Sequence, residues 1–244
     1  MMKGTIHIGT SGWSYKHWRD RFYPADVKPS GYLDFYQRYF GTTEINTSFY
    51  HLPKPETVQH WAETVKMNFK FCFKISRYIT HIRKLNEADE PLFKFFKLLA
   101  PVRKKLGPVL IQLPHNLSFH EQKAETFFRA LDKYRAYRFA LEPRHDSWFE
   151  TGSIDLLKKH HIALVMADSG GRWPYAEYIT ARHVYVRFHG RKGYDSSYSD
   201  GVLREFADKM QRWSRDGHTI WAFFNNDGNA YAVYNAKRLI ELIA

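Results

Sequence analysis

Eight short β-like runs recur along the chain, at residues 6–12, 43–49, 69–75, 108–114, 138–144, 162–168, 184–189 and 219–226. Most of the gaps between them carry helical spacing. Strands alternating with helices call for a parallel sheet, because each crossover must return the chain to the same end. Eight such units in 244 residues predict one α/β domain, a TIM-like (β/α)8 barrel spanning residues 1–244; that architecture typically takes about 250 residues. Every run delivers polar groups at or near its C-terminal end, which is where such barrels build their sites.

Helices are expected at 31–40, 55–65, 87–105, 120–134, 154–160, 203–215 and 230–243. Proline stands near the first turn of the second, and Pro101 is expected to kink or divide the third. The segment Gly170-Gly-Arg-Trp-Pro174 leaves room only for a short or irregular link between the sixth and seventh strands.

Hydrophobic residues make up 44% of the chain, enough for a packed core. No stretch approaches the roughly 18 apolar residues of a membrane span, so no membrane partner is expected. Residues 1–5 lead into the first strand without the apolar core of a secretory signal. The single cysteine, Cys72, excludes an internal disulfide and fits a reducing cytoplasm. The formal charge is +12, and residues 66–105 hold eleven Lys or Arg against three Asp or Glu, a net +8. Such a segment favours an anionic partner, DNA or RNA included, although charge speaks to association and not to chemistry.

Side chains alternate along a strand, so parity separates the barrel interior from the helix-facing side. In the seventh strand Val184, Val186 and Phe188 oppose Tyr185, Arg187 and His189; in the fifth, Phe139 and Leu141 oppose Ala140, Glu142 and Arg144. The expected interior set is Glu44, Asn46, Lys74, Gln112, Glu142, Arg144, Asp168, Arg187 and His189. Asn225, Asn226 and Asp227 follow the eighth strand. So many buried polar groups must pair with one another, bind water or bind a ligand.

Arg144 and Arg187 can clamp a phosphate or carboxylate, with Lys74 beside them. Glu142 or Asp168, flanked by cations, would stay ionised as a general base, and His189 would serve as acid or metal ligand. Lys74 would form a Schiff base only if desolvated. A divalent metal on Glu44, Glu142, His145, Asp168 or His189 stays open, but no ligand-spaced His/Cys motif indicates a cofactor. Trp13, Tyr15, Trp18, Tyr50, Trp148 and Trp173 stand in or beside strand-end loops, where aromatics can hold a sugar or base or simply close the barrel.

The motifs Gly9-Thr-Ser-Gly-Trp13-x-Tyr15-x-x-Trp18, Glu44-Ile-Asn46, Phe71-x-Phe-Lys74, Gln112-Leu-Pro114, Glu142-x-Arg144-His145-x-x-Trp148, Tyr185-x-Arg187-x-His189-Gly190 and Phe224-Asn-Asn-Asp227 run through the chain in order. This pattern resembles the YecE-like family. The resemblance implies a TIM-like barrel and assigns no activity. Barrels of the endonuclease IV and sugar isomerase types share that architecture, but here too few strand-end histidines stand for a three-zinc cluster.

Two function classes follow. The first is an enzyme acting on an anionic, phosphate-bearing substrate at the barrel mouth, with phosphoester hydrolysis as its reaction. Glu142, Asp168 and His189 would be catalytic. Trp13, Tyr15, Glu44, Asn46, Lys74, Gln112, Arg144, His145, Trp148, Arg187, Asn225, Asn226 and Asp227 would hold the substrate. The second is a non-catalytic nucleic-acid binder using residues 66–105, whose binding would be salt-sensitive and sequence-tolerant.

Overall fold

Strands form where aliphatic and aromatic residues alternate with small or polar ones, and in this computed structural model, which describes residues 3–244, each of the eight expected runs contains a strand, although the second, expected over 43–49, stops at Ile45 and turns into a short helix from Thr47. The first two residues of the expected domain lie outside the described residues. In chain order the elements are β1 (Ile6–Ser11), α1 (Tyr32–Tyr36), β2 (Thr42–Ile45), α2 (Thr47–Tyr50), α3 (Pro55–Thr64), β3 (Lys70–Phe73), α4 (Asp89–Leu98) and β4 (Val109–Gln112). They continue with α5 (Glu121–Asp132), β5 (Phe139–Glu142), α6 (Thr151–Lys159), β6 (Ala163–Asp168), β7 (His183–Phe188), α7 (Asp200–Arg215), β8 (Thr219–Phe224) and α8 (Tyr231–Ile243).

The strands pair in parallel in the order β3-β2-β1-β8-β7-β6-β5-β4. The remaining seam, β3 to β4, is stitched by Gly107 N–H to Phe71 O (2.9 Å) and Ile75 N–H to Leu110 O (2.8 Å). Gly107 is required there by close approach: a Cβ would stand 2.5 Å from Cys72 Sγ. The architecture is therefore a nearly closed, single-domain α/β barrel.

Proline shapes the third expected helix as its chemistry dictates: α4 ends at Leu98, and Ala100–Lys105, containing Pro101, continues as a 3₁₀ turn. The expected helix at 31–40 shrinks to Tyr32–Tyr36, and the Tyr36 hydroxyl reaches across to Thr10 and Thr42. No helix joins β6 to β7. None of the described helices is long and apolar enough to cross a membrane.

Two apolar layers divide by strand parity. Outward residues such as Ile8, Phe71, Ile111, Leu141, Met166 and Val186 pack under the helices. Inward, Cys72, Leu110, Ala140, Val165, Tyr185 and Phe223 fill the middle of the barrel. At its N-terminal end His7 stacks on Trp221, with ring centroids 4.0 Å apart. The lower interior is thus plugged, and the open part of the interior lies at the C-terminal end.

Candidate functional site

One parity step above the apolar plug, the inward positions turn charged. Arg187 on β7 lies flat between two carboxylates from opposite sides of the barrel. Its Nε and Nη2 donate to Glu44 (3.0 and 2.7 Å), and its Nη1 donates to Glu142 (2.6 Å). Glu44 also accepts from Ser11 Oγ and Tyr185 Oη, each at 2.8 Å. Glu142 accepts from Gln112 Nε2 (2.8 Å), Arg144 Nη2 (2.7 Å) and His189 Nε2 (2.9 Å).

Both carboxylates are fully buried. Burial alone would raise their pKa, but the guanidinium neighbours overcome it, Arg187 for Glu44 and Arg144 with Arg187 for Glu142. The Glu142 carboxyl is held well below the usual range, so it stays an anion with its lone pairs occupied. It is a poor base and a good anchor.

Above this layer opens a cavity of about 710 Å³, ringed by residues from the ends of β2, β3, β4, β5, β7 and β8. Lys74 lines it, with Nζ donating to Gln112 Oε1 (2.8 Å) and lying 3.8 Å from the Phe49 ring centroid. It has no carboxylate partner among the described residues. Burial, and then the nearby Arg187, lower its pKa to about 7. Arg144 stacks over Trp173 (4.1 Å), and its Nη1 is buried without a hydrogen-bond partner among the described residues.

His189 is pushed to a pKa of about 4 by burial and by Arg187, so its ring is neutral. Glu142 can only accept, which puts the ring proton on Nε2 and leaves Nδ1 to accept from Asn225 Nδ2 (3.1 Å). Asn46, Tyr15 and Asp227 complete the rim together with His81. His81 sits on a π-turn, Tyr78–Ile82, and bonds Thr80 Oγ1 through Nδ1 (2.8 Å). Single π-turns of this kind recur at functional sites.

Several expected site residues stand elsewhere. Asp168 shares its parity with Leu164 and Met166, so it points toward the helices and away from the barrel axis. There it pairs with Arg191 (2.9 Å) and Tyr198 Oη (2.9 Å) and lines a separate cavity. Asn226 follows Phe224 outward and holds Asn235 of α8 (2.9 Å). Trp148 is core: its indole donates to Leu117 O (2.9 Å) and its ring packs on Phe119. His145 caps the turn at 146–149 by accepting from Ser147 N–H. Trp13 lines a neighbouring cavity and not the mouth. Tyr50, His81, His115, Asn116, Trp173 and Tyr194 join the mouth without having been assigned to it. Tyr50 and Trp173 carried a signal as strand-end aromatics, whereas His81 depends on a local turn that spacing does not reveal.

The candidate metal ligands that meet, Glu44, Glu142 and His189, are tied into the Arg187 network. Glu44 and Glu142 are occupied by Arg187, and Asp168 faces outward. No group of three or more His, Cys, Asp or Glu suited to a metal occurs among the described residues. The basic segment 66–105 is divided between the two ends of the barrel. Lys70 starts β3 and donates to Lys104 O, and Lys105 donates to Ala62 O, all at the end opposite the mouth. Arg83 and Lys94 pair with Glu87 and Glu90, and Lys74 lies inside the cavity.

The fold and site together define a (β/α)8-barrel protein with a cation-rich, carboxylate-anchored mouth. The chain belongs to the DUF72 family, described as a protein of unknown function, whose match spans residues 7–244. It is 30% identical over 148 residues to UPF0759 protein YecE of Escherichia coli, covering 60% of this chain and about half (51%) of that relative. To UPF0759 protein YunF of Bacillus subtilis it is 23% identical over 98% of this chain and 94% of that one. The crystal structure of a DUF72 family protein from Thermotoga maritima superposes with a TM-score of 0.87 at 26% identity, covering 98% of this chain and 99% of the other.

Proposed function

We propose that the barrel mouth binds and transforms a small substrate carrying a phosphate or carboxylate. The observation that carries this reading is Arg144. One end of its guanidinium is fixed on Glu142 and its face on Trp173, while Nη1 is buried without a hydrogen-bond partner among the described residues, and the Arg144 side chain lines the cavity. A buried donor left unpaired is costly, and an incoming anion relieves that cost.

Glu142 and Glu44 act as anchors, each saturated by donors, and Asp168 stands outside the cavity. The group suited to moving a proton is Lys74, whose amine is about half neutral near pH 7. Phosphoester hydrolysis, within this reading, uses the Lys74 amine as the base toward water. His189 stays neutral and orients Glu142 and Asn225.

Titration with inorganic phosphate while following thermal unfolding tests the reading. Ligand at 100 times its Kd stabilises by about 2.7 kcal/mol, so Tm should rise, the rise should vanish in Arg144→Ala, and it should persist in Arg83→Ala. A rise that survives Arg144→Ala sinks the proposal. Binding of single-stranded DNA that is unchanged by Arg144→Ala would assign nucleic acid to another surface.

A further inference from the structure

Beside the mouth lies a second cavity of about 560 Å³, enclosed by the loop after β1, the end of β2 and α3. Tyr15 and Asn46 line both spaces, so the two are neighbours that share those side chains as a wall. Their chemistry is divided sharply. The mouth gathers Lys74, Arg144 and Arg187, whereas no Lys, Arg, Asp or Glu lines the second cavity. Its walls are built around Trp13 and Trp61, which meet edge to face at 5.2 Å and 88°, with Leu33 and Ile45 beside them.

Polar residues share that lining, among them Ser14, Ser30, Thr47 and His60, and one polar atom stands apart from the rest. The Asn46 side-chain oxygen is buried and has no hydrogen-bond partner among the described residues. An alkyl group placed here would leave it unpaired, which is costly. An anion would enter a space with no cation to receive it. A planar ring with N–H groups meets both demands, laying its face or edge on the tryptophans and donating to Asn46. Size agrees: ligand cavities of about 300–1,000 Å³ hold molecules far larger than a phosphate ion, and the mouth alone has about 710 Å³.

We infer that this second cavity is the subsite for the N–H-bearing aromatic ring of a bipartite substrate whose anionic group rests on Arg144, with the chemistry and size of a nucleoside monophosphate. The inference rests on the anion-binding reading of the mouth and extends it to the substrate class. It also gives Trp13 a role that the mouth does not.

Calorimetric titration of the full chain with inorganic phosphate, adenosine and adenosine 5′-monophosphate separates the two ideas. The variants are Arg144→Ala, Trp61→Ala and Ser30→Trp, the last placing a bulky side chain at the exposed rim of the second cavity. The monophosphate should bind on the order of tenfold more tightly than phosphate, in keeping with base–aromatic stacking. Trp61→Ala and Ser30→Trp should each erase that gain and leave phosphate affinity unchanged. If Trp61→Ala fails to fold, Ser30→Trp still decides, because Ser30 is exposed.

A monophosphate no tighter than phosphate overturns the inference, as does an advantage that survives Ser30→Trp. Adenosine bound in a manner blocked by Ser30→Trp, alongside phosphate binding indifferent to Arg144→Ala, keeps the ring subsite and removes the anion reading. Absence of binding by all three probes removes both.

Discussion

The lower and upper halves of the barrel interior come from the same strands and the same parity, yet they are held together by different physics. Below, Cys72, Leu110, Ala140, Val165, Tyr185 and Phe223 are packed with little polarity. Above, Glu44, Glu142, Arg187, Arg144 and Lys74 are almost as buried. Apolar packing tolerates imperfect partners, losing contact area in proportion. A buried charge network does not, because each member is stable only while its counter-charge stays in place. Such a network is generally no more stabilising than apolar side chains of the same volume. The upper half is therefore the part of the barrel shaped for something other than stability.

The largest expected effect comes from removing the shared cation. Arg187→Met leaves Glu44 and Glu142 facing each other without their common partner and should cost about 3–5 kcal/mol at pH 8. Acidification should return part of that loss, since carboxylates freed from Arg187 take up protons more readily. Leu110→Ala in the lower half should cost about 2–5 kcal/mol through a cavity, with no such dependence on pH. Urea denaturation of both variants at pH 5 and pH 8 measures the contrast. Equal pH responses would dissolve the distinction between the halves.

Lys74 tests the comparison with the opposite sign. Its amine has a pKa of about 7 in the folded chain, against about 10.4 when unfolded. Between those values the unfolded chain holds a proton that the native state has released, so stability from this group rises with pH across that window. Below pH 7 the full penalty of a buried, counter-ion-free ammonium is present. Lys74→Met should then stabilise the protein by about 1–3 kcal/mol at pH 6, after allowing for the lost contacts to Gln112 and Phe49. The gain should fade by about pH 10. A variant less stable than wild type at pH 6 would show that Lys74 is structural.

Much of the barrel was legible because its signals are periodic. Strand number, the break at Pro101 and the irregular β6–β7 link follow from local chemistry, and parity correctly placed Arg187, His189, Glu142, Arg144 and Lys74 in the interior. The same rule was available for β6 and would have corrected Asp168. Leu164 and Met166 are the bulky, helix-facing residues, while Ala163, Val165 and Ala167 are the small inward ones, as Ala140 is on β5. What sequence could not supply is pairing across the barrel. That Arg187 joins Glu44 and Glu142, separated from it by 143 and 45 residues, is a property of closure. The basic run at 66–105 is likewise divided by closure: Lys70 and Lys104 meet at the end opposite the mouth, whereas Lys74 lines the mouth.

The smallest expected effect is the sharpest test of parity. Asp168 and His189 are joined through the backbone, with His189 N–H donating to Asp168 O at 2.8 Å, yet their side chains leave the sheet on opposite faces. Asp168→Asn keeps a hydrogen-bond acceptor for Tyr198 and weakens a pairing with Arg191, which is 46% exposed. Partly exposed pairs of this kind contribute about 0–1 kcal/mol, so the denaturation midpoint should move little. Phosphate affinity at the mouth should stay within twofold of wild type, because no side-chain contact links Asp168 to Arg144, Lys74 or Gln112 in the structure. Measured beside Arg144→Ala, the variant distinguishes nearness along the backbone from membership of the cavity. A several-fold loss of phosphate affinity in Asp168→Asn would mean that the cavity's field reaches through the sheet. The division of the strand ends into an inner, ligand-facing set and an outer, helix-facing set would then have to be abandoned.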